Sequence, residues 1–381
     1  MNGLDALPAL LGYGAVAFVL AELLARLWLS KRGKYFVFKP GTTTLMQVDQ
    51  KTFPDLPTQV RFAINAAGER GGSLPRTWKN TYRVLVAGGS AAECYLLDQE
   101  VSWPQVLQSH LNPRASELGA TRVHVGSISR SLVPCECLAT MLRHALPGYE
   151  RLDLVILMVG ASDVVNWLEQ KTPATLERGR MGIGRAFDVH PEGPFGWTLA
   201  TLALRRIASF WYHSLGHPVE HREGAGKTVA KNRLMRANAR EILDEVPDPT
   251  PMVEYFEAGF RDMVTVAKSH AKRVLVVRQP WLAKDFTPAE QARLWNFGAG
   301  RPYVEEVTTY YAHHVVDSLM QRLDASQERI CTELDVEQLD LMPHLERSFE
   351  TYYDFLHFTP KGSKHVGELI GERVVQPSVR F

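Results

Sequence analysis

The sequence contains only four cysteines among its 381 residues, and no two of them have the C-x-x-C spacing that is typical of zinc sites. Their positions do not indicate a disulfide framework either. The four are Cys94, Cys135, Cys137 and Cys331. Cysteine usage therefore argues against a zinc site and a disulfide-rich scaffold, and it leaves the cellular compartment open.

The chain also has almost no excess of charge. Its 43 Lys and Arg residues nearly balance its 42 Asp and Glu residues, which gives a formal net charge of +1 at pH 7. Nothing in this balance indicates a nucleic-acid partner. We find no internal repeat and no low-complexity tract, so the length fits one large α/β domain with insertions or two modest domains.

One long apolar run stands near the N-terminus, from Ala6 to Leu29, and only Glu22 and Arg26 are charged within it. A helix of this length spans roughly 36 Å, enough to cross a hydrocarbon core of about 30 Å. A retained single-pass anchor in the lipid bilayer is therefore predicted for residues 6–29. A cleaved signal peptide is the main alternative, although the basic region that usually opens such a peptide is absent. The third interpretation of this run is a buried helix of a soluble protein.

The charges that flank this run bear on its orientation. Lys31, Arg32, Lys34 and Lys39 follow the run, and no basic side chain precedes it. The positive-inside rule then places the main part of the protein in the cytoplasm.

Five apolar runs, separated by stretches with helical periodicity, predict a parallel sheet that is covered by helices on both faces. They are Arg83–Gly88, Arg122–Gly126, Leu152–Gly160, Arg273–Pro280 and Glu337–Leu341. The predicted organisation is an anchor over residues 1–33, a connector over 34–82 and an α/β domain over 83–381. An insertion at about 168–270 separates the third run from the fourth.

The insertion contains a segment that combines aromatic and basic side chains, from Gly193 to Pro218. One interpretation is a helix that covers the sheet. The other is a helix that lies on the membrane or contacts a partner protein, because tryptophan and arginine occur together in such helices. The contact residues would then be Trp197, Arg205, Arg206, Phe210 and Trp211.

Polar side chains suited to catalysis follow several of the predicted strands, where active sites of open parallel sheets lie. Ser90 follows the first strand, and Asp354 and His357 precede the last helix. A hydroxyl, an imidazole and a carboxylate are the groups that acyl transfer requires. Taken alone, Ser90 could equally be only the N-cap of a helix.

Several motifs in the right order resemble the SGNH/GDSL hydrolases, and more narrowly their membrane-anchored bacterial branch. They are "FAINAAGERG" (62–71), "VLVAGGSAAE" (84–93), "LDQEVSWPQVL" (97–107), "VVRQPWLAKDFTPAEQARLW" (276–295) and "DFLHFTPKG" (354–362). The resemblance implies a flavodoxin-like three-layer sandwich with a parallel five-stranded sheet. It also implies a nucleophilic Ser90, a general base His357 and an orienting acid Asp354, with no metal or nucleotide cofactor.

Two residues depart from the pattern of that family. Ser129 stands where the second block has its oxyanion glycine, and Ser162 stands where the third block has an asparagine. The backbone N–H of Ser129 and the hydroxyl of Ser162 are the donors that remain possible at these positions.

The function implied by the resemblance is that of a serine esterase, acyl hydrolase or acyltransferase that acts on an acylated glycan or lipid. The family also favours an extracytoplasmic domain, against the flanking charges. The alternative is a catalytically degraded relative, a scaffold subunit that holds other membrane proteins through its anchor and its insertion.

Overall fold

The computed structural model describes residues 6–150, 152–179, 182–216 and 218–376. The strands in these ranges are β1 (Thr43–Val48), β2 (Gln59–Ala63), β3 (Thr81–Gly88), β4 (Arg122–Ser127), β5 (Leu152–Met158), β6 (Val219–Ala225), β7 (Glu241–Leu243), β8 (Ala271–Arg278), β9 (Thr309–Tyr311) and β10 (Glu337–Asp340). The α-helices are α1 (Ala6–Arg32), α2 (Ser90–Glu93), α3 (Trp103–Leu111), α4 (Cys135–Ala145), α5 (Ala161–Glu169), α6 (Ile183–Ala186), α7 (Ala203–Gly216), α8 (Lys227–Ala237), α9 (Thr250–His270), α10 (Pro288–Gln291), α11 (His313–Glu333) and α12 (Pro360–Val375).

The five predicted apolar runs form one parallel sheet in the order β10-β8-β5-β3-β4. Read by position along the chain, this order is the flavodoxin-like arrangement 2-1-3-4-5. The central strand β3 is buried along its whole length, as expected for a strand that is covered on both faces. The predicted fold class is confirmed by this topology.

Helices complete the sandwich. α3 packs against α12, and α9 packs against α4 and α11. α9 lies within the segment that was predicted as the insertion, but it contacts β8 and α4 as part of the core. The chain therefore leaves the core after α5 and has returned to it by Thr250, so the excursion ends earlier than the predicted boundary near residue 270.

The connector and the insertion share a second, smaller sheet. β1 from the connector pairs antiparallel with β2 and parallel with β6 from the insertion, in the order β2-β1-β6. The segment predicted as a connector packed on the domain thus contributes strands that hold the insertion in place.

The N-terminal helix α1 includes a stretch, Leu10–Arg32, that is long and apolar enough to cross a membrane by length and composition. α7 packs against its second half, where Ala25, Leu29 and Ala203 form a small buried cluster. Of the two interpretations of the Gly193–Pro218 segment, the sheet-covering helix is therefore wrong, because the apolar side of α7 is used against α1.

A carboxylate fixes this helix pair. Glu22 is fully buried and accepts hydrogen bonds from the backbone N–H groups of Ala203 (2.8 Å) and Leu204 (3.0 Å), at the start of α7. Arg26, one turn along α1, donates to the same carboxylate at 2.9 Å and to the carbonyl oxygen of Gly196 at 2.7 Å. Glu22 and Arg26 thus form an ion pair, and the Glu22 carboxylate also caps the first turn of α7.

Candidate active site

The turn between β3 and α2 carries Ser90 and depends on two glycines. A Cβ atom on Gly88 would lie 2.4 Å from the carbonyl oxygen of Met158, and one on Gly89 would lie 2.9 Å from the hydroxyl of Ser162. Only glycine permits so close an approach between the ends of β3 and β5. The turn therefore presents Ser90 directly beside the residues that follow β5.

Ser90, His357 and Asp354 form a continuous hydrogen-bonded relay. Ser90 Oγ lies 2.7 Å from His357 Nε2, and His357 Nδ1 lies 2.8 Å from Asp354 Oδ2. These are hydrogen-bond distances for a nucleophile, a base and an orienting acid. The fold thus brings together the three residues that the sequence singled out, which are up to 267 positions apart along the chain.

Asp354 is fully buried yet well supplied with donors. It accepts from the backbone N–H groups of Leu356 and His357, both at 2.9 Å, and from Trp295 Nε1 at 3.1 Å. Burial by itself would raise the pKa of this carboxyl, but the His357 imidazole and the two backbone donors outweigh it and lower the pKa below the usual value. Asp354 is therefore ionised at neutral pH and holds the proton of His357 on Nδ1, which leaves Nε2 free to accept from Ser90.

The acidity of His357 gives a testable pH dependence. Burial lowers the pKa of its imidazole, but the Asp354 carboxylate and, more weakly, Glu93 outweigh this and raise the pKa above 6.5. Only the neutral imidazole can take the serine proton. We therefore expect kcat/KM for a soluble ester to rise with pH through a single ionisation whose pKa lies above 6.5, and activity to be lost at pH values below that pKa. The rate of fluorophosphonate labelling, measured across pH, should follow the same curve. A labelling rate that does not change between pH 5.5 and 8.5 would contradict the assignment of His357 as the base.

Of the two oxyanion donors that the sequence left possible, the Ser162 hydroxyl is unpaired within the described part of the chain and the Ser129 N–H is engaged. Ser90 is the first residue of α2, so its own N–H has no intrahelical acceptor and remains available. The hydroxyl of Ser162 lies against Gly89, and it makes no hydrogen bond to any residue that the structure describes. The N–H of Ser129 donates instead to the hydroxyl of Ser127 at 3.2 Å within its own turn. Two of the donors thus remain free for a substrate oxygen, and the third is engaged.

Arg70 supports the nucleophile turn, and sequence reasoning missed it. Its buried guanidinium donates to the carbonyl oxygens of Glu93, the last residue of α2, and of Cys94 (2.8 Å) and Leu97 (2.7 Å), which follow it. Trp103 donates from Nε1 to the carbonyl of Ala91 at 3.1 Å. These donors satisfy the carbonyls that a one-turn helix leaves free. The only signal in the sequence was that Arg70 lies in a motif shared with the resembled family.

Replacing Arg70 by methionine is expected to lower the free energy of unfolding by about 3 kcal/mol, because several buried carbonyls lose their donor. Urea denaturation of the purified protein measures this effect. Arg76→Met is the matched control, since Arg76 is exposed, and it should change stability by no more than about 0.5 kcal/mol. Equal effects of the two substitutions would show that the buried guanidinium is not a support for the turn.

Asp163, the residue after Ser162, caps the first turn of the neighbouring helix α4. The residue lies inside the first turn of α5, and its carboxylate accepts from the N–H of Cys135, the first residue of α4, at 3.1 and 3.2 Å. Burial raises the pKa of this carboxyl to about 7, although the Cys135 donors oppose that shift. Asp163 therefore ties α4 to α5 and does not face the relay.

The five predicted contact residues of the insertion fall into two groups. Trp197 and Trp211 are 56% and 50% exposed, and Arg205 is also on the surface. Arg206 donates to the carbonyls of His190 (3.0 Å) and Glu192, and Phe210 stacks on Phe36 at 5.7 Å. Arg206 and Phe210 are therefore engaged within the chain, and the contact role of the exposed residues remains a prediction.

Within the described ranges, no three His, Cys, Asp or Glu side chains are grouped so that they could hold a metal ion. Ser90, His357 and Asp354 have the mutual geometry that a nucleophile, a general base and an orienting acid require.

No protein-family model matches the chain, and no curated protein matches it. Solved structures similar to it include Est24, a carbohydrate acetylesterase from Sinorhizobium meliloti, with 13% identity over 77% of this chain and 97% of that one, at a TM-score of 0.40. The acetylxylan esterase Axe2 from Geobacillus stearothermophilus has 10% identity over 78% and 95%, also at 0.40. The M. smegmatis aryl esterase has 14% identity over 77% and 97%, again at 0.40. Identities this low indicate a similar fold and do not assign a reaction or a substrate to this chain.

Proposed function

We propose that this chain is a membrane-anchored serine esterase of the SGNH/GDSL type, which cleaves an acyl ester of a glycan or lipid. The observation that carries the proposal is the relay from Ser90 through His357 to the buried, ionised Asp354. The resemblance of its motifs to that family supports the same assignment, and the apolar helix α1 supports the membrane attachment.

The proposed reaction follows from the positions of these groups. Ser90 Oγ attacks the ester carbonyl while its proton passes to His357 Nε2, and Asp354 stabilises the resulting imidazolium. The Ser90 N–H and the Ser162 hydroxyl donate to the oxyanion of the tetrahedral intermediate. Collapse of the intermediate breaks the ester C–O bond, and the leaving alcohol takes the proton from His357. A water molecule, deprotonated by His357, then attacks the acyl-serine; the bond between the acyl carbon and Ser90 Oγ breaks, His357 returns the proton to Oγ, and the free acid leaves. Another alcohol in place of water would make the reaction an acyl transfer.

Labelling with a fluorophosphonate probe tests the proposal on detergent-purified full-length protein. The probe reacts with an activated serine, so we expect labelling of the wild type and none of Ser90→Ala. Acetylated oligosaccharides and acylated lipids are then compared as substrates by release of the free acid. An unlabelled wild type with a cooperative thermal transition would refute the esterase assignment and leave a folded protein without an activated serine.

The side of the membrane is tested separately. The motif resemblance favours an extracytoplasmic domain, which we adopt. All four native cysteines are buried, so a cysteine introduced at the exposed Lys79 provides a single accessible thiol. It should react with a membrane-impermeant maleimide in intact spheroplasts. Reaction only after lysis would place the domain in the cytoplasm.

A further inference from the structure

The second half of α1 and the adjoining side of α7 line a shallow apolar groove that is open to the surroundings, called the anchor groove below. Its volume is about 490 Å³, and its walls include Ala21, Leu24, Trp28 and Arg32 of α1 with Leu204 and Ile207 of α7. A second hollow of about 470 Å³ shares Trp28, Arg32 and Ile207 and extends to Lys34 and Trp211. Both volumes lie in the range of small-molecule sites.

The anchor groove is apolar at one end and basic at the other. From Ala21 to Arg32 it follows α1 for roughly 16 Å. The basic end carries Lys31 and Arg32, and Lys34 lines the adjoining second hollow. All three side chains are exposed and make no ion pair or hydrogen bond within the ranges that the structure describes. Arg26, nearby on α1, already pairs with Glu22. The basic side chains without an ion-pair partner therefore lie at the end of the groove next to the C-terminus of α1.

The apolar end leads into the part of α1 that no other element covers. The side chains that the structure describes between Leu10 and Ala21 are all exposed, and large apolar ones such as Leu11, Val16 and Leu20 are among them. Such a surface requires an apolar environment. A hydrocarbon chain bound in the groove would run alongside α1 and continue directly into that apolar environment.

We infer that the anchor groove binds one anionic phospholipid of the surrounding bilayer. An acyl chain lies against Leu24, Leu204 and Ile207, and the phosphate faces Arg32 and Lys34. Charge complementarity at the basic end and continuity with the exposed surface of α1 both favour a lipid over a second protein chain. The inference rests on the membrane attachment proposed above, and it does not depend on the esterase chemistry.

Native mass spectrometry of the full-length protein in detergent tests this inference. Phosphatidylglycerol and phosphatidylcholine with identical acyl chains are titrated in parallel. We expect one phosphatidylglycerol to bind at least tenfold more tightly than phosphatidylcholine. The double substitution Arg32→Gln and Lys34→Gln should weaken phosphatidylglycerol binding by roughly thirtyfold, since two phosphate-facing charges are removed. The matched control is the double substitution Lys51→Gln and Lys79→Gln, which removes two exposed charges far along the chain from α1. It should leave the affinity for both lipids unchanged.

A second pair of variants tests the apolar end. Ala21→Trp fills the groove and should weaken binding of both lipids at least tenfold, whereas Ala15→Trp, on another face of the same helix, should not. Equal binding of the two lipids by the wild type, or equal effects of the two tryptophans, would overturn the inference. If the wild type fractionates with membranes but prefers neither lipid, only this inference fails. If it is recovered in the soluble fraction, the proposed membrane attachment fails as well.

Discussion

Replacing Ser90 by alanine is expected to lower kcat for hydrolysis of 4-nitrophenyl acetate by about 10⁴-fold or more. The hydroxyl is the group that His357 Nε2 contacts at 2.7 Å, and without it no acyl-enzyme can form. Loss of a triad member generally leaves only the rate enhancement that binding and the oxyanion donors supply. Stopped-flow kinetics of the purified wild type and variant measure the difference, and the wild type should also show a burst of nitrophenol if deacylation is slower than acylation.

The control for this prediction is Ser116→Ala, which removes an exposed hydroxyl from a surface turn. It should keep the wild-type rate. Both variants should unfold at the wild-type temperature, because the Asp354–His357 contact does not involve either serine. A Ser90→Ala protein that retains a tenth of the wild-type rate would mean that another group is the nucleophile.

The parts of the site that could be read from the sequence are those encoded locally. Ser90 directly follows a buried strand, and Asp354 and His357 are three residues apart before a helix. In a parallel sheet the carboxyl ends of the strands share one edge, which is where Ser90 was expected. The expectation that Asp354 and His357 meet it came from the resemblance of their motif to the SGNH/GDSL hydrolases. The strands β3 and β5 were predictable because each is a short run of mostly buried apolar residues, whereas β10 is polar and only half-buried.

Features that depend on contacts between distant segments could not be read in this way. The pairing of β1 with β6 joins residues about 175 positions apart, and β6 is largely exposed and has no apolar pattern. The burial of Glu22 at the start of α7 likewise joins segments 181 positions apart. Sequence pattern reports burial and periodicity, and it carries little information on which distant partner completes a hydrogen bond.

The second large effect is expected at Ser162. Its hydroxyl lies beside the turn that carries Ser90 and forms no hydrogen bond to another described residue, which leaves it free to donate to the oxyanion. Ser162→Ala should therefore lower kcat for 4-nitrophenyl acetate by about 100-fold, with KM changed much less, because the bond is made mainly in the transition state. Steady-state kinetics over a range of substrate concentrations separates the two parameters.

Ser162→Asn is the informative companion, because it restores the amide donor that the resembled family has at this position. Asparagine would place an amide N–H group in the space beside Gly89 that the Ser162 hydroxyl now occupies, and we expect kcat within about tenfold of the wild type or above it. Rescue by asparagine but not by alanine would identify the donated hydrogen bond as the contribution of this position. If alanine and asparagine both match the wild type, the oxyanion must be held by the Ser90 N–H without help from residue 162. An effect confined to KM would place Ser162 in substrate binding. Either of these two results would mean that fewer hydrogen-bond donors hold the oxyanion than the proposed reaction uses.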